Sequence, residues 1–206
     1  RDGRTALPNG RRQWITSPAA RADGHAWRAR ACAVLTGIGT VLEDDPQLNV
    51  RLPDVLRQPR LVIVDSRLET PPGARLWGAA QREVLIYTSD ADTSRAAPLR
   101  ERGAQVVALP NPHGKVDLAA MLRDLAAREV NEVHVEAGHK LNGSLLREGL
   151  VDELLLYQAP RLLGEGAGIA ALGPFTAVEQ ALALEWTEIV RVGPDLRLRA
   201  RLGHQR

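Results

Sequence analysis

A single cysteine, Cys32, occurs in the 206 residues, so the chain can neither close an internal disulfide nor supply the paired thiolates of a cysteine zinc site. A reducing compartment is the simplest fit. The zinc-deaminase pattern of H-x-E followed by P-C-x-x-C is missing, and His25 and His113 have no ligand partners at metal spacing, so no metal is expected. Long apolar runs are missing too. Nothing approaches the ~18–20 residues of a membrane span, and no basic-then-apolar signal segment opens the chain, so a cytoplasmic protein without a membrane partner is expected. Charge of one sign is not in excess: 27 basic residues face 25 acidic ones, too near balance for a chain whose main partner is a nucleic-acid backbone. Lysine is scarce, with two against 25 arginines, so any single arginine is by default a solvated surface group.

What is present is the 44% hydrophobic, 25% charged profile of a globular protein, long enough for a substantial core and read as one domain over residues 1–206. Thr16-Ser17-Pro18 starts a helix that should run to about Arg30, the hydroxyl capping free N–H groups and the proline fitting the first helical position. Ala33 to Thr36, Leu61 to Val64 and Val84 to Tyr87 are short apolar runs, which suits strands buried on both faces. Val116 to Arg128 carries apolar residues at helical spacing, and Val133 to Glu136 follows as a strand. Asn142 to Glu148 reads as a helix and Glu153 to Ala159 as a strand. Trp186 to Val192 and Leu196 to Leu202 flank Gly193-Pro194-Asp195 as an antiparallel hairpin. Arg51 to Arg60 and Pro71 to Gly78 read as loops. Strands alternating with helices predict an α/β fold with a parallel sheet.

Two strand-to-helix crossings carry candidate chemistry. Gly37-Ile38-Gly39-Thr40-Val41-Leu42 has the first glycines of a dinucleotide turn, but Leu42 stands where the third belongs, and a plain turn is an equally good reading. Glu136 to Ser144 is the second crossing. In open α/β sheets ligands collect at such carboxyl ends, although a solvated strand-end charge explains Glu136 as well. Asp44-Asp45-Pro46 is a common turn composition. Arg28 and Arg51 are phosphate candidates because a guanidinium offers paired donors in a fixed fork.

Taken together and in order, Asp2-Gly3-Arg4-Thr5-Ala6, Trp14-Ile15-Thr16-Ser17, Arg28-Ala29-Arg30, Gly39-Thr40-Val41-Leu42, Asp44-Asp45-Pro46-Gln47-Leu48, Val50-Arg51, Val64-Asp65-Ser66, Val135-Glu136-Ala137-Gly138 and Leu150-Val151-Asp152-Glu153-Leu154 resemble the reductase domain of the bacterial bifunctional riboflavin-biosynthesis deaminase/reductase. The resemblance spans nearly the whole chain. It implies a dihydrofolate-reductase-like α/β fold, with a largely parallel sheet and a C-terminal antiparallel hairpin. It also implies NADPH-dependent reduction of 5-amino-6-(5-phosphoribosylamino)uracil to the ribitylamino product, and a homodimer. By resemblance Arg28, Leu48, Arg51 and Glu136 line the substrate site, with Glu136 and Asp44 as the acidic catalytic candidates. Trp14, Thr16, Thr40, Asp44 and Ser66 match cofactor positions, joined by the loop Gly138, His139, Lys140, Leu141, Asn142, Gly143 and Ser144.

The chain departs from that family in three places. Arg11-Arg12-Gln13 stands where Glu-Ser precedes the Trp-Ile-Thr stretch, which makes Arg12 a substrate-contact candidate. Ala137-Gly138 replaces a Gly-Gly pair. The chain opens at Arg1-Asp2-Gly3, without the family's first strand and without a deaminase domain, both expected upstream. A reductase of the same fold acting on a pteridine or another small carbonyl compound, and a non-catalytic NADPH-binding domain, are the competing readings.

Overall fold

Aliphatic runs with no polar side chain to turn toward water are stable only when covered on both faces, and a parallel sheet between helices does this. The computed structural model of the chain describes residues 3–11, 14–53, 55–90 and 92–203. In chain order the elements are β1 (Arg4–Ala6), α1 (Pro18–Arg30), β2 (Ala33–Gly37), α2 (Ile38–Asp44), β3 (Arg60–Val64), β4 (Val84–Thr88), α3 (Thr93–Glu101), β5 (Ala104–Ala108), α4 (Leu118–Ala127), β6 (Val133–Val135), α5 (His139–Arg147), β7 (Glu153–Gln158), β8 (Ala167–Gly168), β9 (Leu184–Val192) and β10 (Asp195–Leu202). They divide into two compact units, residues 25–138 and residues 1–24 with 139–206.

In the 25–138 unit, β5-β4-β3-β2-β6 form one sheet whose neighbouring strands are all parallel. Its register aligns Val34 with Leu61, Leu61 with Val84 and Val84 with Ala104 on one face. There they pack with Val41 of α2 and with Ala96 and Leu99 of α3. Leu35, Val62, Leu85 and Tyr87 point to the other face, where the Tyr87 hydroxyl donates to Asp124 of α4 at 2.6 Å. Asp117 caps α4 by accepting from the Ala120 N–H at 2.8 Å. From β2 to β5 the strands step in one direction, whereas β6 joins the opposite side of β2. The ends of β2 and β6 therefore flank a topological switch point, where a parallel sheet opens a crevice.

The supposed glycine turn is not a turn. The chain passes directly from β2 into α2, and a Cβ on the helical Gly39 would meet nothing within 4 Å. Sequence reading does not find the short strands β1 and β8 or the helix α2, and it misses α3 and β5 as well. Helix α3 is polar with Pro98 in its interior, and β5 has only Val106 and Val107 as β-branched residues. The end of the Pro71 to Gly78 loop winds into a 3-10 turn over Arg75–Gly78.

In the other unit β1 pairs with β8, and β7-β10-β9 form an antiparallel sheet that contains the expected hairpin. Ser17 caps α1 as its sequence predicts, accepting from the Ala20 N–H at 3.3 Å. Helix α5 begins at His139, three residues before the expected Asn142, so most of the supposed loop 138–144 is helical. Gly143 is buried on α5 against the backbone of Ala171, whose N–H donates to the His139 carbonyl at 2.8 Å.

A Cβ on Gly143 would collide with the Ala171 carbonyl oxygen and come within 2.9 Å of its nitrogen, so Gly143→Ala should lower unfolding stability by about 1–3 kcal/mol. Gly39→Ala, with open space around it, should raise stability by roughly 0.5–1 kcal/mol. Urea denaturation of the two variants beside the parent chain checks both signs.

Candidate active site

Glu136 lies just past the end of β6, but its backbone stays bound to β2. Its N–H donates to the Leu35 carbonyl at 2.8 Å, and the Thr36 hydroxyl donates to its carbonyl at 2.8 Å. Because strand side chains alternate, Glu136 projects to the same face as His134. On that face it meets Arg28, from the last turn of α1. Arg28 Nε donates to Glu136 Oε1 at 2.6 Å and Nη2 donates to Oε2 at 2.7 Å, a bidentate pair with side chains 13% and 28% exposed. Burial alone would raise the pKa of Glu136. The hydrogen bonds and charge of Arg28 outweigh it, and the carboxyl is held below its ordinary value, an anion at neutral pH.

Arg28 Nη1 donates to the Asn49 carbonyl at 2.5 Å and lies 3.4 Å from His25 Nδ1, one turn back on α1. His25 Nδ1 accepts weakly from the Arg51 N–H at 3.5 Å, and Arg51 Nη1 donates to Asn49 Oδ1 at 2.9 Å. Burial and the charges of Arg28 and Arg51 lower the pKa of His25. His134 completes the cluster with Nε2 3.5 Å from Glu136 Oε1, and burial lowers its pKa although the carboxylate opposes this. Arg28 and Glu136, separate candidates in the sequence, are thus one unit. The Arg28 fork is directed at a carboxylate and a carbonyl, while Arg51 is the exposed guanidinium beside them.

Thr40 and Asp44 sit one turn apart on α2, which places them on one face. A Cβ added to Gly138 would come 3.8 Å from Thr40 Oγ1, so the glycine leaves room beside the hydroxyl at the switch point. Ser66 follows β3. Its carbonyl accepts from the Ser89 hydroxyl at 2.8 Å and the Thr88 hydroxyl at 3.1 Å. Leu48 is buried in the core with φ +50°, and its carbonyl accepts from Arg82 Nη1 at 2.9 Å.

In the 1–24 and 139–206 unit, Trp14 and Thr16 line a cavity of about 400 Å³ together with Arg21 and Arg161. The Arg21 guanidinium lies 4.5 Å from the Trp14 ring centroid and donates to the Thr16 carbonyl at 2.7 Å. His139 and Lys140 are exposed in the first turn of α5. Leu141 is half-buried, Asn142 Nδ2 donates to the Ile169 carbonyl at 2.9 Å, and Ser144 Oγ donates to the Lys140 carbonyl at 3.2 Å. The expected ligand loop is therefore a helix start bound to residues 169–171. Arg12 lies outside the described residues.

The family model for the RibD C-terminal domain matches residues 2–198. The chain belongs to the RibD C-terminal domain family. It is 38% identical over 208 residues to the riboflavin biosynthesis protein RibD of Escherichia coli K12, a match covering 95% of this chain and 55% of that protein. Among solved structures it is similar to Acinetobacter baumannii RibD, with TM-score 0.84 and 33% identity over 98% of this chain and 55% of that one. The reductase Rib7 of Saccharomyces cerevisiae, at 22% identity and TM-score 0.73, shares the fold over 98% of this chain and 85% of that one. The chain spans about half the length of the curated relatives it matches. No helix among the described residues is long and apolar enough to cross a membrane.

Sequence reasoning missed His25, Asn49 and His134 in this RibD C-terminal domain. Two had a signal. His25 is three residues before Arg28 on one helix face, and His134 is two before Glu136 on one strand face.

With folded pKa values below the unfolded value of about 6.5, His25 and His134 stay neutral in the native state at pH values where the unfolded chain binds protons. Their contribution is complete above about pH 6.5 and is lost as pH falls, whereas that of Glu136 is present above about pH 4.5 and is lost as pH drops through its lowered value. His134→Phe should therefore flatten the decline of the urea midpoint between about pH 7 and pH 5. A decline as steep as in the parent chain would remove His134 from the cluster.

Proposed function

We propose that this chain is the NADPH-dependent reductase of 5-amino-6-(5-phosphoribosylamino)uracil, a riboflavin-biosynthesis enzyme with a dihydrofolate-reductase-like fold. The observation that carries the reading is the Arg28–Glu136 pair: a carboxylate kept anionic at the carboxyl edge of a parallel sheet, beside a second arginine. The substrate opens from ribosylamine to imine, which takes a proton from solvent on nitrogen. The iminium cation then accepts hydride at the sugar C1 position, giving the ribitylamine. Glu136, fixed by Arg28, favours that cation as it forms and is too acidic to be its proton donor. Asp44 is the second acidic candidate and relays the proton. Arg51 takes the ribose phosphate, and Leu48 and Asn49 shape the edge of that site. Arg12 remains a substrate candidate by resemblance.

The switch point supports a dinucleotide reading. Gly138 leaves space beside the Thr40 hydroxyl at the switch point, and Ser66 stands at the neighbouring strand end. Thr40, Asp44, Ser66 and Gly138, all in the 25–138 unit, would hold NADPH. When bound, it supplies the hydride. Ser66 suits the 2′-phosphate that separates NADPH from NADH.

The substrate and cofactor are soluble phosphates, and we assign a cytoplasmic location. A homodimer fits the half-exposed apolar face of β9, where Trp186 is 50% and Ile189 60% exposed; sedimentation at monomer mass would remove that assignment.

The assay is loss of nicotinamide absorbance with the phosphoribosylamino-pyrimidine, run with NADPH and with NADH. Turnover should select NADPH. Glu136→Gln should lower kcat by roughly 10²–10³-fold, the scale of losing one electrostatic group. Arg51→Ala should raise the KM for substrate by about 10-fold or more with kcat nearly kept, as expected for a charge-assisted phosphate contact. Reduction of a pteridine with no response to the phosphorylated pyrimidine would favour the alternative reductase, and NADPH binding without any turnover the non-catalytic domain.

A further inference from the structure

Arg82, in the segment before β4, is directed inward at backbone carbonyls. Its Nη1 donates to the Gln47 carbonyl at 3.0 Å and to the Leu48 carbonyl at 2.9 Å, and Nη2 donates to the Leu76 carbonyl. Its Nε is buried without a hydrogen-bond partner among the described residues. Burial, with the charge of Arg28 adding to it, lowers its pKa to about 10, so it remains a cation at neutral pH. Burying a guanidinium against neutral carbonyls is costly, and the three hydrogen bonds to carbonyls are what offsets that cost here.

The carbonyls it holds belong to an unusual stretch. Asp45 and Leu48 both have left-handed backbones, φ +42° and φ +50°, which non-glycine residues adopt only at a cost. Four further ties fix the same stretch: Asp45 Oδ1, which accepts from the Arg75 N–H at 2.7 Å, the Leu48 side chain in the core, the Asn49 carbonyl on Arg28, and Gln58, which accepts from the Val50 N–H at 2.8 Å and donates to the Val50 carbonyl at 3.0 Å. Arg82 is the tie on the two carbonyls at the bend itself. Downstream of that bend lie Asn49 and Arg51, the residues beside Glu136.

We propose that Arg82 is a positioning residue for the substrate phosphate: by holding the Gln47 and Leu48 carbonyls it fixes the left-handed bend that aims Asn49 and Arg51. The inference rests on the reductase reading for its substrate and stands on its own for the geometry. Arg82 touches neither substrate nor cofactor and acts only through the bend. Its loss therefore changes substrate capture and leaves the Arg28–Glu136 pair, held by its own two bonds, in place.

The test compares the parent chain with Arg82→Met and Arg82→Lys in the NADPH assay and in amide hydrogen exchange. Arg82→Met should raise the substrate KM by about 10–100-fold, the scale of a small misplacement, with kcat and the KM for NADPH within about 2-fold. Arg82→Lys, a cation that cannot reach all three carbonyls in a fork, should fall between, and it decides the matter if the Met variant does not fold. Exchange at the Val50 and Arg51 amides should speed up in both variants. Unchanged exchange there, or equal losses in kcat and both KM values, would overturn the proposal. Faster exchange in the two variants, with a parent chain that reduces no pyrimidine, would uphold the positioning role while removing the substrate reading.

Discussion

The bidentate bond between Arg28 and Glu136 determines what the rest of the 25–138 unit can do. A carboxylate buried at a strand end would normally take up a proton to escape its desolvation, and a buried guanidinium without a partner would be expelled toward water. Joined in a fork, the two keep opposite charges, and removing either member leaves the other without its partner in a largely desolvated place. The pair also joins two distant parts of the sequence, the last turn of α1 and the end of β6. The parallel register of β6 with β2 brings His134 and Glu136 to the face that Arg28 reaches. The chemistry therefore depends on a strand register: a one-residue slip of β6 would turn Glu136 to the opposite face.

A second constraint follows from the first. The same guanidinium that holds Glu136 also donates to the Asn49 carbonyl, so the segment from Asp45 to Arg51 is drawn against the pair. That segment bends through left-handed residues that are not glycine, and it stays bent because the core, Arg82, Arg28 and Gln58 each hold a different atom of it. Strain of this kind persists where surrounding structure over-determines it, and it collects at sites that must meet a ligand in one geometry.

Much of the fold was legible in the sequence. The runs at 33–36, 61–64 and 84–87 became central strands because nothing polar interrupts them, and Ser17-Pro18 opened α1 by the expected cap. What was not legible has physical reasons. Helix α3 is polar and contains Pro98, so no apolar periodicity marks it. Gly37-Ile38-Gly39 looked like a phosphate turn because glycine permits one, but permission is not requirement, and the strand runs straight into α2. Glycine was decisive instead at Gly143, where two backbones approach, a need that only tertiary contact reveals. For the candidate site, residue types and order were readable through family resemblance, whereas the partnership of Arg28 with Glu136 was not. No local pattern links residues more than a hundred positions apart, and a guanidinium that suits a phosphate suits a carboxylate equally well. His25 and His134 were legible in principle, since each lies at helical or strand spacing from a member of the pair.

Arg28, against the pull of burial, keeps Glu136 ionised. Carbon-detected NMR titration of the Glu136 side-chain carboxyl in the parent chain and in Arg28→Gln tests it most directly. In the parent chain the carboxyl should titrate below the ordinary glutamate value. In Arg28→Gln, where burial is no longer opposed by the guanidinium, it should titrate above that value. A carboxyl that titrates at the same pH in both proteins would contradict the claim.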